Sequence, residues 1–136
     1  VTPSAFAGAM TGRVAVPRLT VAQLVERVGA SLQLERVAAR PANGDADRGL
    51  ERAITSPEAS SPGLVLSGYF ERFPAERIQV FGETEVTYLN ALADDVRAER
   101  LDAFFAHAAI PCAIVTKGQE PPPHFLEAAG RHGVAV

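Results

Sequence analysis

Apolar positions along the chain change period several times, and each change predicts an element. Val21, Leu24, Val25 and Val28 fall at i, i+3, i+4 and i+7, one face of a helix. Thr20 stands three residues before Gln23, the spacing of a capping box, and Leu19 and Leu24 occupy the two positions of a hydrophobic staple. The spacing predicts a helix that begins after Thr20 and closes at Gly29, because glycine accepts a left-handed cap. Leu32–Ala39 reads as a strand, Pro41–Gly49 as a turn-rich loop, Leu50–Thr55 as a short strand and Ser56–Gly63 as a second loop. Leu64-Val65-Leu66 is too short for its period to assign.

Further on, Arg77–Phe81 alternates and predicts a strand ending at Gly82. Thr84 is placed to cap a helix through Leu92. Asp94 is placed to cap another that buries Leu101, Phe104, Phe105 and Ala108 and stops at Pro111. Cys112–Thr116 is apolar without alternation, the mark of a strand covered on both faces. A proline-led helix follows, with Phe125, Ala128, Ala129 and His132 on one side and Gly133 as its cap, and Val134–Val136 resumes a strand. Strand, helix and strand of this length predict a right-handed βαβ crossover. The expected fold is α/β: one domain over residues 19–136, with a small, mostly parallel sheet flanked by helices. Residues 1–18 show no period and read as an irregular lead. The chain lacks an initial Met and halts within its last strand, so we expect a piece cut from a longer protein.

Composition narrows the function classes. The 136 residues are 47% hydrophobic and 21% charged, ordinary for a globular domain. A net charge of −3 argues against a nucleic-acid binder, which needs a basic surface. Neither a run long enough to span a membrane nor a signal peptide is present in the sequence. With Cys112 as the single cysteine, no internal disulfide can form, and a cytoplasmic location is expected.

No phosphate-binding loop of the form G-x-x-x-x-G-K-[ST] occurs, nor a G-x-G-x-x-G fingerprint. His107, His124 and His132 are spaced as separate surface or helix-end residues, Cys112 as a small core side chain, and Asp94-Asp95 as first-turn acids. No catalytic residue, metal ligand or cofactor site is therefore expected in this chain. Two places invite more attention. Arg72, Arg77 and Glu85, with neighbouring Glu76 and Glu83, surround the Arg77–Phe81 strand as a candidate interface or ligand patch. Lys117, the only lysine, and Gly118 follow a predicted strand at its carboxyl end and precede a helix. Open α/β sheets bind ligands at that end, so the pair is a candidate anion site.

Several segments resemble a known family. These are Pro62–Phe70 (P-G-L-V-L-S-G-Y-F), Phe73–Glu85 (F-P-A-E-R-I-Q-V-F-G-E-T-E), Tyr88-Leu89, Ile110-Pro111, Val115–Gly118, Pro121–Pro123 and the helix Leu126–Gly133. Together they resemble the N-terminal domain of bacterial HPr kinase/phosphorylase over residues 19–136. Three positions depart from that family's pattern: Ser61 and Lys117, where it usually has Arg, and Glu83, where it often has Lys.

The resemblance implies an α/β domain similar to the substrate domains that open Mur ligases. It implies a parent that is homohexameric and phosphorylates a serine of HPr, with ATP or pyrophosphate, and reverses the reaction. Its phosphate loop, its ATP and magnesium and its contact with HPr would belong to a C-terminal domain beyond Val136. The present chain would then be a regulatory or assembly domain without catalysis of its own. Two alternatives stand beside it: a stand-alone small-ligand sensor of the same fold, and a sugar-nucleotide-binding domain.

Overall fold

The computed structural model describes residues 19–37 and 48–136. The expected lead 1–18, the end of the predicted strand at 38–39 and most of the 41–49 loop lie outside them. A two-residue strand, β1 (Leu19–Thr20), opens directly into helix α1 (Val21–Leu32). The capping box forms as its spacing predicts: Thr20 Oγ1 accepts from Gln23 N–H at 3.1 Å, and Gln23 Oε1 accepts from Thr20 N–H at 3.0 Å. Gly29 does not end this helix. It is buried within α1, which runs one turn further, and Gln33 adopts the left-handed cap (φ 55°). Leu34 N–H returns to Gly29 O and Gln33 N–H to Ala30 O, a Schellman closure that absorbs the orphan carbonyls without glycine. Because Leu32 is helical and Gln33 turns the chain, the strand predicted from Leu32 is not formed. Residues 33–37 instead make an irregular strap, whose Val37 N–H reaches Val136 O at 3.1 Å.

The predicted strand Leu50–Thr55 shrinks to β2 (Ala53–Ile54), because Arg48–Glu51 coil as a 3-10 turn. β2 pairs antiparallel with β1. The loop expected over 56–63 contains strand β3 (Ala59–Ser60). The ambiguous Leu64–Leu66 run lies in a 3-10 helix, Gly63–Ser67, with Val65 and Leu66 turned inward. β4 (Ile78–Phe81) leads to α2 (Glu83–Ala91), α3 (Asp94–Phe105), β5 (Ala113–Val115) and α4 (Phe125–Arg131).

Capping differs from the expectation at both central helices. Gly82, not Thr84, caps α2, and Glu85 Oε1 accepts its N–H at 2.9 Å. Ala93 precedes α3, so Asp94 lies inside its first turn. α3 ends at Phe105, well before Pro111, and Ala108 is exposed beyond it.

β3, β4 and β5 form a parallel sheet in that order, and Cys112 bridges to Ala135 in parallel. That bridge completes the predicted βαβ unit around α4. The fold is thus α/β, with a small parallel sheet and, among the described residues, four α-helices. Its main core lies between the sheet and α2, α3 and α4. Phe81, Phe104, Phe105 and Phe125 are fully buried there, and neighbouring rings meet edge to face at centroid distances of 4.8–5.4 Å.

Candidate functional site

The other face of the sheet is less completely covered. Along β4, Gln79 and Phe81 are buried while Ile78 and Val80 are only partly so. Register pairs Val80 with Ile114, so alternation puts these two on the same face. The amino-terminal half of that face packs into a small second core of Val21, Ile54, Cys112 and Ala135, flanked by Leu24 and Ile78. Among the described residues the carboxyl-terminal half does not close. Between it, α1 and the 33–37 strap runs a groove of about 410 Å³. Ile114, Val25, Leu32 and Val136 supply apolar walls, and Thr116 to Gln119 form one end. Ile114 is half-buried, which corrects the expectation that β5 is covered on both faces. Leu32 remains 63% exposed and Val25 38%, although the helical period marked Val25 for burial.

Lys117 and Gly118 are the two candidates that line this groove. Both have left-handed backbone (φ 59° and 63°), and Gln119 N–H closes on Thr116 O at 3.1 Å. Two successive left-handed residues make a tight primed turn, which is what Gly118 serves. The turn is followed by irregular chain through the prolines, and α4 starts at Phe125, as the sequence suggested. The ammonium of Lys117 lies 3.1 Å from Glu83 Oε1, with both side chains about two-thirds exposed.

The remaining candidates lie elsewhere. Arg77 pairs with Glu58 at 3.0 Å, and Glu85 is committed to the α2 cap. Arg72 is exposed at a positive φ of 63° and forms no ion pair among the described residues. The five candidates therefore do not converge. What the sequence reading missed is the strap and the apolar walls. Their only advance signal was the long apolar face of α1, which continues to Leu32.

The histidines are ties between elements rather than isolated surface groups. His124 Nε2 meets Asp94 Oδ1 at 3.0 Å, and His132 Nε2 meets Asp102 Oδ1 at 2.8 Å, joining α4 to α3 at both ends. These contacts, with Arg97 on Asp94 and Arg131 on Asp102, hold both carboxyl groups below their ordinary range, the histidine hydrogen bond being the largest cause in each case. His107 packs against Phe70 and Phe73 with ring centroids 4.9 Å away. Burial pushes the Cys112 thiol up to about 11, which disfavours the nucleophilic thiolate. Among the described residues, no three His, Cys, Asp or Glu side chains converge to hold a metal ion, and no helix is long and apolar enough to cross a membrane.

Against known protein families, residues 19–136 match the model described as HPr Serine kinase N terminus. The chain belongs to this family. The chain is 33% identical over 121 residues to HPr kinase/phosphorylase of Bacillus cytotoxicus, covering 89% of this chain and 35% of that protein. It is 40% identical over 90 residues to the protein of the same name from Brevibacillus brevis, covering 66% of this chain and 29% of the relative. A third relative of that name, from Caldanaerobacter subterraneus, is 43% identical over 79 residues, 58% of this chain and 26% of its own length. The domain thus spans about a third of the length of the curated relatives it matches.

Proposed function

We propose that residues 19–136 form a non-catalytic regulatory or assembly domain of an HPr serine kinase/phosphorylase-like protein. In this reading the parent phosphorylates and dephosphorylates HPr in carbon-source regulation, in the cytoplasm, as a homo-oligomer. ATP and magnesium act in a part of it not contained in this chain. The observation that carries the reading is the employment of the reactive side chains. Asp94 and Asp102 are bound to His124 and His132, Arg97 is buried against Leu89 O and Leu92 O, and Glu85 closes a helix cap. These four groups are engaged in holding α2, α3 and α4 together.

Incubation of the purified chain with ATP, magnesium and HPr tests the catalytic half of the proposal, and no serine phosphorylation above a protein-free control is expected. A longer gene product continuing past Val136 into a G-x-x-x-x-G-K-[ST] loop, and active on HPr, supports the assignment of the parent. Continuation without such a loop overturns it.

A second reading, a small-ligand sensor, is favoured by one specific observation. The groove opens beside the carboxyl ends of parallel strands, where α/β sheets bind ligands. Its volume falls within the range of about 300–1,000 Å³ typical of small-molecule sites.

A further inference from the structure

We propose that the groove takes a small free organic acid with an apolar body, seated with its chain along Ile114, Val25 and Leu32 and its carboxylate at Lys117. The inference rests on the small-ligand reading and names the chemistry of its ligand. Three observations carry it.

The first is the uncovered apolar surface. Leu32 and Val25 are exposed on the wall, and Ile114 is half-buried on the floor, in one continuous cavity. Removing these atoms from water is favourable for any apolar body that fits. A peptide helix is a poor match for a groove of about 410 Å³, whereas a small molecule suits it.

The second is the distribution of charge at the mouth. Glu35 and Arg36 follow one another on the strap with opposite formal charges. Lys117 also lines the groove, on a two-residue left-handed turn, with its ammonium 3.1 Å from Glu83. The groove therefore presents an apolar trough with a cation at one end, complementary to an amphipathic anion.

The third is the present partner of Lys117. Glu83 lies outside the groove lining, and both members of the pair are solvent-exposed. An exposed pair of this kind contributes little and exchanges readily with a competing carboxylate. A neutral ligand of the same length keeps the trough contacts but gives up the cation.

The test uses 8-anilinonaphthalene-1-sulfonate, a fluorescent apolar anion, displaced by octanoate or by octanol. Saturable dye binding is expected, with octanoate displacing the dye at concentrations at least about tenfold lower than octanol, the scale of one charge-assisted hydrogen bond. Lys117→Gln is expected to remove that preference, and added salt to reduce it. Glu83→Gln frees the lysine and is expected to strengthen octanoate binding. Val25→Trp, at an exposed helix position, fills the trough and is expected to abolish binding of both ligands. Unchanged urea midpoints confirm that each variant is folded. Equal displacement by octanol and octanoate, or a preference that survives Lys117→Gln, overturns the acid assignment while leaving the ligand groove intact. No displacement by either compound, or dye binding indifferent to Val25→Trp, overturns the small-ligand reading together with the inference.

Discussion

The two faces of the parallel sheet solve the same problem to different degrees. One face carries Phe81 on β4, against which Phe104, Phe105 and Phe125 pack without exposure. The opposite face carries Ile78, Val80 and Ile114, each only partly buried, and among the described residues it is covered by α1, the β1–β2 pair and the 33–37 strap. The difference lies in side-chain volume. Four phenyl rings interlock edge to face and leave no room for solvent. On the other face a groove stays between α1, the 33–37 strap and β5. Rigidity is thus concentrated on one side, and free apolar surface on the other.

Substitutions on the two sides should separate most widely in stability. Phe104→Ala removes a fully buried ring that also meets Phe73 at 5.5 Å. It is expected to cost about 3–5 kcal/mol in a urea unfolding series. Val25→Ala on the groove wall is expected to change stability by less than about 0.5 kcal/mol. Equal losses at the two sites would break the contrast, by showing that the groove is closed in solution.

Arg52 sharpens the comparison, because it ties one side to the other. Its carbonyl accepts from Val21 N–H at the start of α1, while its guanidinium donates to Ile110 O and His132 O at 2.6 Å each and to Ala108 O at 3.2 Å. Losing these charged donors in Arg52→Ala is expected to cost roughly 1.5–3 kcal/mol. Arg52→Lys should recover only part of that, since an ammonium lacks the planar fork that reaches three carbonyls. Urea midpoints of the two variants provide the check, and full recovery by Lys would show that charge rather than fork geometry matters.

The smallest expected effect belongs to acid. Asp94 and Asp102 have folded values below their ordinary 3.8, so their contribution is complete above that value and disappears as pH falls through the lower folded ones. Stability should therefore decline on acidification below about pH 4, and Asp102→Asn should flatten the slope there. Asp94 is largely exposed and Asp102 about half exposed, so salt should shrink the effect. A slope unchanged in Asp102→Asn would place the acid-sensitive contacts elsewhere.

The secondary structure was most legible where a signal is local. Thr20 and Gln23 are within one turn of each other, and their reciprocal cap formed as spaced. The βαβ unit around α4 was also readable, since an apolar strand, a proline-led helix and a resumed strand leave few alternatives. The end of α1 was not. Gly29 offered the easier cap, yet the helix runs on through exposed residues to Leu32 and closes on the left-handed Gln33. Strand β3 was hidden because Ala59 and Ser60 have no strand propensity of their own and are extended only by pairing with Ile78 and Gln79.

The candidate site divides in the same way. Lys117 and Gly118 stood out because a lone lysine beside a glycine after an apolar run is a local pattern. That they meet a groove, and that Arg77 and Glu85 do not, depends on contacts across the chain. The α/β class, the family and the Phe104–Phe105 core helix were readable from the chain, because apolar period and local caps are properties of neighbouring residues. Which carboxylates bind which histidines, and that one half of a sheet face stays open among the described residues, emerged only in the folded molecule. Each of these is set by long-range packing, where volume and charge on distant segments compete for the same space.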